Sequence, residues 1–224
     1  MSLQKRLQNV SKEIIDAKHK FSRENEIKLL AVSKKRTAKE IRTLYELGQK
    51  SFGESYLQEA INKKAQLKDC DIEWHFIGPI QSNKTKLIAQ NFDWVQSVSR
   101  LKIAERLNSA AINKKTPLNI LIQINLNNEI NKEGIKPSEF LDFCLMIKNF
   151  PNLKLKGIMA IPEKQLEARK QAINFLKLKD IYNLHREEFD LDTLSMGMSG
   201  DYSMAIKNGS TMIRIGTKLF ESKN

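Results

Sequence analysis

Along this chain apolar residues recur in two alternating rhythms. Leu3, Leu7, Val10 and Ile14 repeat at helical spacing, so residues 2–20 are predicted as an opening helix. The run 27–33 is apolar almost throughout, the mark of a strand buried on both faces. Thr37 and Glu40 then form a capping box, and the helix they open ends at Gly48. The alternation continues. Segments 50–53, 72–77, 93–98, 118–126, 153–160, 191–197 and 211–215 are predicted strands. Ser55 and Gln58 form a second capping box, opening a helix to about Leu67. Further helices are expected from about Ser82, from Ser99 with Leu101, Ala104, Leu107 and Ala111 on one stripe, and from near Pro137. The last two run over roughly 163–187 and from Ser199 to Gly209.

Eight strand candidates between helices imply a parallel sheet covered on both faces. The predicted fold is therefore α/β, a closed (β/α)8 TIM barrel, one domain over 1–224 with an extra N-terminal helix. An open doubly wound sheet is the alternative. It would carry a glycine-rich first turn, whereas Ser33-Lys34-Lys35-Arg36-Thr37 has no glycine. With five prolines and nine glycines, nothing in the chain reads as a linker.

Composition narrows the function. The 224 residues are 41% apolar, enough for a sizeable core. Net charge is +12 and the pI is about 9.6, which would suit a polyanionic partner. The lysines are scattered over almost every predicted helix, without a block of like charge, so a solvated surface is the better reading. No specific nucleic-acid partner is expected. Cys70 and Cys144 make no CxxC pair and no metal spacing with His19, His75 or His185. No metal is expected, and the thiols suit a reducing compartment. The polar N-terminus and the lack of long apolar runs point to a cytoplasmic protein with no membrane partner.

In a barrel, chemistry gathers at the C-terminal ends of the strands. Lys34 stands where strand one ends. A lysine leaving a buried strand can serve as a Schiff-base nucleophile, or can simply snorkel to water. Lys35 is its rival, because side chains alternate along a strand. Ser199 is a plausible N-cap of the helix after strand seven, and Gly216 and Thr217 follow strand eight. These two loops are where barrels commonly hold a phosphate. Arg214 lies in an apolar strand and must point inward and pair, or outward and be solvated. His75, between Trp74 and Phe76, reads as a hydrogen-bonded core histidine, and the Phe, Met and Trp positions read as core. Glu54 and Asp201 read as a loop charge and a cap rather than acid–base groups.

These strand ends carry a resemblance. The stretches 29–34, 52–56, 74–84, 157–162, 194–199 and 209–217 are similar, in order, to the pyridoxal phosphate homeostasis proteins, whose barrel resembles the N-terminal domain of alanine racemase. Trp74-His75-Phe76-Ile77-Gly78-Pro79-Ile80-Gln81-Ser82-Asn83-Lys84 is the most specific of them. The resemblance implies pyridoxal 5'-phosphate (PLP) as cofactor, held as a Schiff base on Lys34 rather than Lys35. It implies Ser199, Gly216 and Thr217 around the phosphate and Arg214 facing the pyridine nitrogen. It also implies a role in vitamin B6 and amino-acid homeostasis, with PLP-dependent apoenzymes as recipients. Ser55 departs from the family's usual Asn.

A PLP-dependent amino-acid racemase is the alternative. It needs two positioned bases. The racemases take a tyrosine from a second domain, which this barrel-length chain lacks, and Lys34 is the one base in view. An arginine at the pyridine nitrogen would also weaken the ring as an electron sink. The expectation is therefore a PLP carrier with no catalytic residue.

Overall fold

The structure, a computed structural model, describes residues 1–130, 132–163, 165 and 167–220. Helix α1 (Leu3–Lys20) starts at Ser2, whose side chain accepts from the Lys5 N–H. Its buried residues are Leu7, Val10, Ile14 and Ala17, the stripe that the spacing predicts. Strand β1 (Lys28–Val32) and helix α2 (Ala38–Glu46) follow. The Thr37–Glu40 capping box forms at the start of α2, and Gly48 after its end takes φ +99°, a left-handed conformation that glycine adopts freely.

The pattern then repeats through β2 (Ser51–Glu54), α3 (Leu57–Gln66), β3 (Glu73–Phe76), α4 (Thr85–Asn91), β4 (Trp94–Val98) and α5 (Leu101–Ala110). It continues through β5 (Leu118–Ile124), α6 (Phe140–Ile147), β6 (Leu153–Ala160), α7 (Ala168–His185), β7 (Thr193–Ser195), α8 (Tyr202–Lys207) and β8 (Met212–Ile215). Short 3-10 turns, Ser82–Lys84 and Pro137–Glu139, lead into α4 and α6. The eight strands pair in sequence order, all parallel, and β8 closes on β1 through Lys28–Met212 and Leu30–Arg214. This is a (β/α)8 TIM barrel.

Alternation along the strands divides the core. Ala31, Phe52, Phe76, Val95, Ile120, Ile213 and Ile215 pack outward against the helices. Trp94, Leu121 and Met159 form a separate apolar cluster in the lumen. The lumen also takes polar groups. His75 stacks on Trp94 with ring centroids 5.1 Å apart, and Lys28 reaches over the same indole.

Four local expectations are corrected. Ser55 does not cap α3: its N-cap is Tyr56, with no side-chain bond. Ser199 does not cap α8: Asp201 stands at that N-cap, and its carboxylate accepts from the Met198 N–H in the preceding turn. Helix α7 is shorter than 163–187; two positions of its expected first turn, Lys164 and Leu166, lie outside the described residues. Both tryptophans are core, but Met146 and Met198 are exposed. Among the described residues no helix is long and apolar enough to cross a membrane.

Candidate functional site

The end of β1 is built as a clamped turn. Ser33 donates its backbone N–H to the Gly53 carbonyl, and the Arg36 N–H returns to the Ser33 carbonyl at 3.0 Å. Lys34 and Lys35 form the tip, with Lys35 at φ +62°, an unfavourable conformation outside glycine. It is held there because its N–H donates to Glu59 of α3 at 2.5 Å. The Ser33 hydroxyl turns toward the helices and donates to Glu54 Oε1 at 2.6 Å. Lys28 and Val32 face the lumen, and Lys34 stands two positions beyond Val32, past the end of the strand, in the turn. The Lys34 side chain is exposed, and no hydrogen bond or ion pair among the described residues engages it.

Beneath this turn lies a buried ionic cluster absent from the sequence expectations. Lys63 of α3 donates to the Ser33 carbonyl and to Glu54 Oε1, both at 2.7 Å, and to Glu59 at 2.5 Å. Glu54 is fully buried, and its Oε2 has no partner among the described residues. Glu54 is therefore the end of a buried strand rather than a loop charge. Burial pushes its carboxyl above the usual range, against the pull of Lys63 and Ser33.

Arg214 points into the lumen, 4% exposed. It donates to the carbonyl and hydroxyl of Ser195, each at 2.7 Å, and to the Ala160 carbonyl at 2.8 Å. Those three bonds leave at least two of its five N–H donors uncommitted within the described residues. Burial lowers the guanidinium to about 10, so it stays charged at neutral pH.

Gly216 lies beside Val32. A methyl there would meet Val32 at 3.4–3.8 Å, ordinary contact, so packing alone does not demand the glycine. The loops after β7 and β8 are neighbours, as their strands pair. Within the described residues, the backbone N–H groups of Ser199, Gly200, Thr217 and Lys218 have no protein acceptor. Unpaired amides on two adjoining loops are what an anion requires.

Lys34, Arg214, Gly216 and Thr217 thus share the mouth at β1 and β8. Ser199 lines a cleft of about 650 Å³ with Tyr202 and Lys218, the residue after Thr217. A smaller cavity of about 260 Å³ opens between Ile77, Gly78, Pro79, Asn125 and Ile161, at the ends of β3, β5 and β6. His75 is hydrogen-bonded core, as expected, and burial holds its imidazole below the usual range. Among the described residues no cluster of three or more His, Cys, Asp and Glu could hold a metal ion.

The barrel and its strand-end layout define a protein of the alanine racemase N-terminal type. A family model described as "Alanine racemase, N-terminal domain" matches residues 7–223. Within that class the chain belongs to the pyridoxal phosphate homeostasis protein family. It is 43% identical over its whole length to that protein of Pasteurella multocida, covering 99% of the relative. It is 44% identical over its whole length to that of Haemophilus influenzae, covering 97%. Among solved structures it is similar to PipY of Synechococcus elongatus with PLP bound: TM-score 0.85 and 31% identity over 98% of this chain and 100% of that one. Alanine racemase of Clostridium difficile, at 15% identity and TM-score 0.71, shares the fold over 57% of its own length.

Proposed function

We propose that this chain holds PLP as a Schiff base on Lys34 and serves PLP and amino-acid homeostasis without enzyme-like turnover. When bound, PLP supplies an electrophilic carbonyl that captures amines and a ring that can accept electrons. The chain's own residues decide how much of that chemistry is used. Arg214 keeps its charge and offers free donors toward the lumen mouth, which suits a pyridine nitrogen left unprotonated. Thr217 and Ser199 offer unpaired amides to the phosphate, and Gly216 keeps the approach to that loop open. Lys34 is the uncommitted amine between them.

The observation that carries the reading is this convergence at adjoining strands, with Lys34 in the turn after β1, Arg214 on β8 and Gly216 just after β8. The kinship with pyridoxal phosphate homeostasis proteins and the likeness to PipY with PLP bound support PLP as the ligand. Tyr56 and Tyr202 are the tyrosines nearest the strand-end loops that could serve as a second base. Tyr56 is 48% exposed at the start of α3, and the Tyr202 hydroxyl accepts from Lys218 in the side cleft. Neither supports proton return from the opposite face of a substrate. The whole barrel then acts as one cofactor-holding unit in the cytoplasm, with PLP-dependent apoenzymes as recipients.

The test is incubation of the PLP-loaded protein with single-enantiomer alanine and serine in deuterated water. Chiral chromatography should find inversion far below the roughly 1–1000 per second of ordinary enzymes. Inversion within that range, abolished by Lys34→Ala, would make the protein a racemase instead.

A further inference from the structure

Through the lumen, behind Arg214, runs an unbroken line of polar side chains. Arg214 meets the Ser195 hydroxyl at 2.7 Å, and Ser195 meets Gln96 Oε1 at 2.8 Å. Gln96 Nε2 meets His75 Nδ1 at 2.9 Å, and His75 Nε2 meets Glu73 Oε1 at 2.6 Å. Lys28 closes the line on Glu73 at 2.5 Å. Ser195, Gln96 and His75 are buried, each 0% exposed. The line crosses β8, β7, β4 and β3 and returns to β1.

Its ends fix its direction. Arginine can only donate, so the Ser195 oxygen accepts and its hydrogen is free to go on. That hydrogen goes to Gln96 Oε1, leaving the Gln96 amide nitrogen toward His75. The other hydrogen on that nitrogen faces the Met212 sulfur at 3.2 Å, an acceptor only. His75 Nδ1 must then be bare, and its proton sits on Nε2 and faces the Glu73 carboxylate. Every donor points from Arg214 toward Glu73. Burial favours the neutral imidazole this requires, against the pull of Glu73; Lys28 and Asp93 are the other charges that act on it. At Glu73 burial raises the carboxyl, but the His75 bond and Lys28 outweigh it and hold it below the usual range.

We infer that Ser195, Gln96 and His75 are positioning residues that lock the Arg214 guanidinium into one orientation at the cofactor end of the lumen. This rests on the reading that Arg214 faces the pyridine nitrogen. A buried chain whose links from Ser195 to Glu73 are all paired specifies one geometry, because a reversed amide at Gln96 would put Oε1 against His75 Nδ1 and demand a buried imidazolium between Gln96 and Glu73. The line also explains why a protein of this size carries His75 and Gln96 in an apolar barrel. They act through Ser195 on Arg214 and do not touch the ligand.

The test has two arms. The first is nitrogen-15 NMR of the histidine rings, with and without PLP. His75 should show a neutral ring protonated at Nε2 in both states. Gln96→Glu still accepts from Ser195 but cannot donate, so His75 should gain a proton. A ring protonated at Nδ1, or one unmoved by Gln96→Glu, overturns the chain.

The second arm uses Ser195→Ala and the volume-conserving Gln96→Met, with circular dichroism confirming the fold. Both should weaken PLP roughly tenfold, the equivalent of about 1.4 kcal/mol. Both should also shift the pH at which the visible band of bound PLP changes. Unchanged affinity and an unchanged pH profile in both folded variants overturn the positioning role. A borohydride label away from Lys34 in the parent protein would instead overturn the reading of the site. The NMR arm, which needs no PLP, would still judge the chain.

Discussion

The Lys63 ammonium lies 2.7 Å from the Ser33 carbonyl, so a buried charge on α3 fastens the strand end from which Lys34 emerges. The same ammonium neutralises Glu54 at the end of β2. One side chain therefore ties β1, β2 and α3 together directly under the turn.

Lys63→Met should be strongly destabilising, because it strands the fully buried Glu54 carboxylate. Breaking one side of such a pair typically costs about 3–5 kcal/mol. Glu54→Gln combined with Lys63→Met should recover part of that loss, since no charge is left unpaired. Denaturant midpoints measure both. A loss under about 1 kcal/mol in Lys63→Met would mean that the cluster does not clamp the turn.

Glu54 also sets a pH signature. Its folded carboxyl titrates above the ordinary value of 4.5, so the folded state favours a proton that the unfolded chain has already lost. The stability this proton contributes is full below 4.5 and fades as pH rises from there to the folded value. The stability of the parent protein relative to Glu54→Gln should therefore fall as pH rises through that window. A difference that is flat, or that grows with pH, would contradict the buried, raised carboxyl.

Two glycines separate fold from ligand. Gly216→Ala meets only ordinary contacts, so unfolding free energy should change by no more than about 1 kcal/mol. PLP affinity should nevertheless fall, because the methyl crowds the loop proposed to hold the phosphate, while pyridoxal, lacking the phosphate, should bind weakly with or without the methyl. Gly197→Ala is different: Gly197 has φ +96°, and its added carbon would lie 2.5 Å from Ala205. It should destabilise the barrel itself. Equal PLP binding by the parent and Gly216→Ala, or equal affinity of the parent for pyridoxal and PLP, would move the phosphate elsewhere.

How much of this was legible in the sequence depended on periodicity. Strands buried on both faces must be apolar runs, so β5 was plain, and the α2 start was plain because a capping box and a glycine bracket it. The Ser55–Gln58 box failed for a tertiary reason. Gly78 packs so closely on Ser55 that a side chain at Gly78 would lie 2.2 Å from the Ser55 carbonyl oxygen, and the helix starts two residues later. Ser199 failed because Asp201 closes the turn before α8. The Lys63 clamp gave almost no signal. A lysine on an amphipathic helix reads as a solvated face, and only its spacing from Glu59 hinted at a pair. Gln96 and Ser195 were silent too, since the partners that define them come from other strands.

The central claim is that Lys34 carries the cofactor, and borohydride reduction of the PLP-loaded protein followed by peptide mass mapping tests it most directly. The protein should be yellow, and the reduced pyridoxyl group should be found on Lys34 and lost in Lys34→Ala. A label on Lys35 or another lysine, or no label after incubation with PLP, would contradict it.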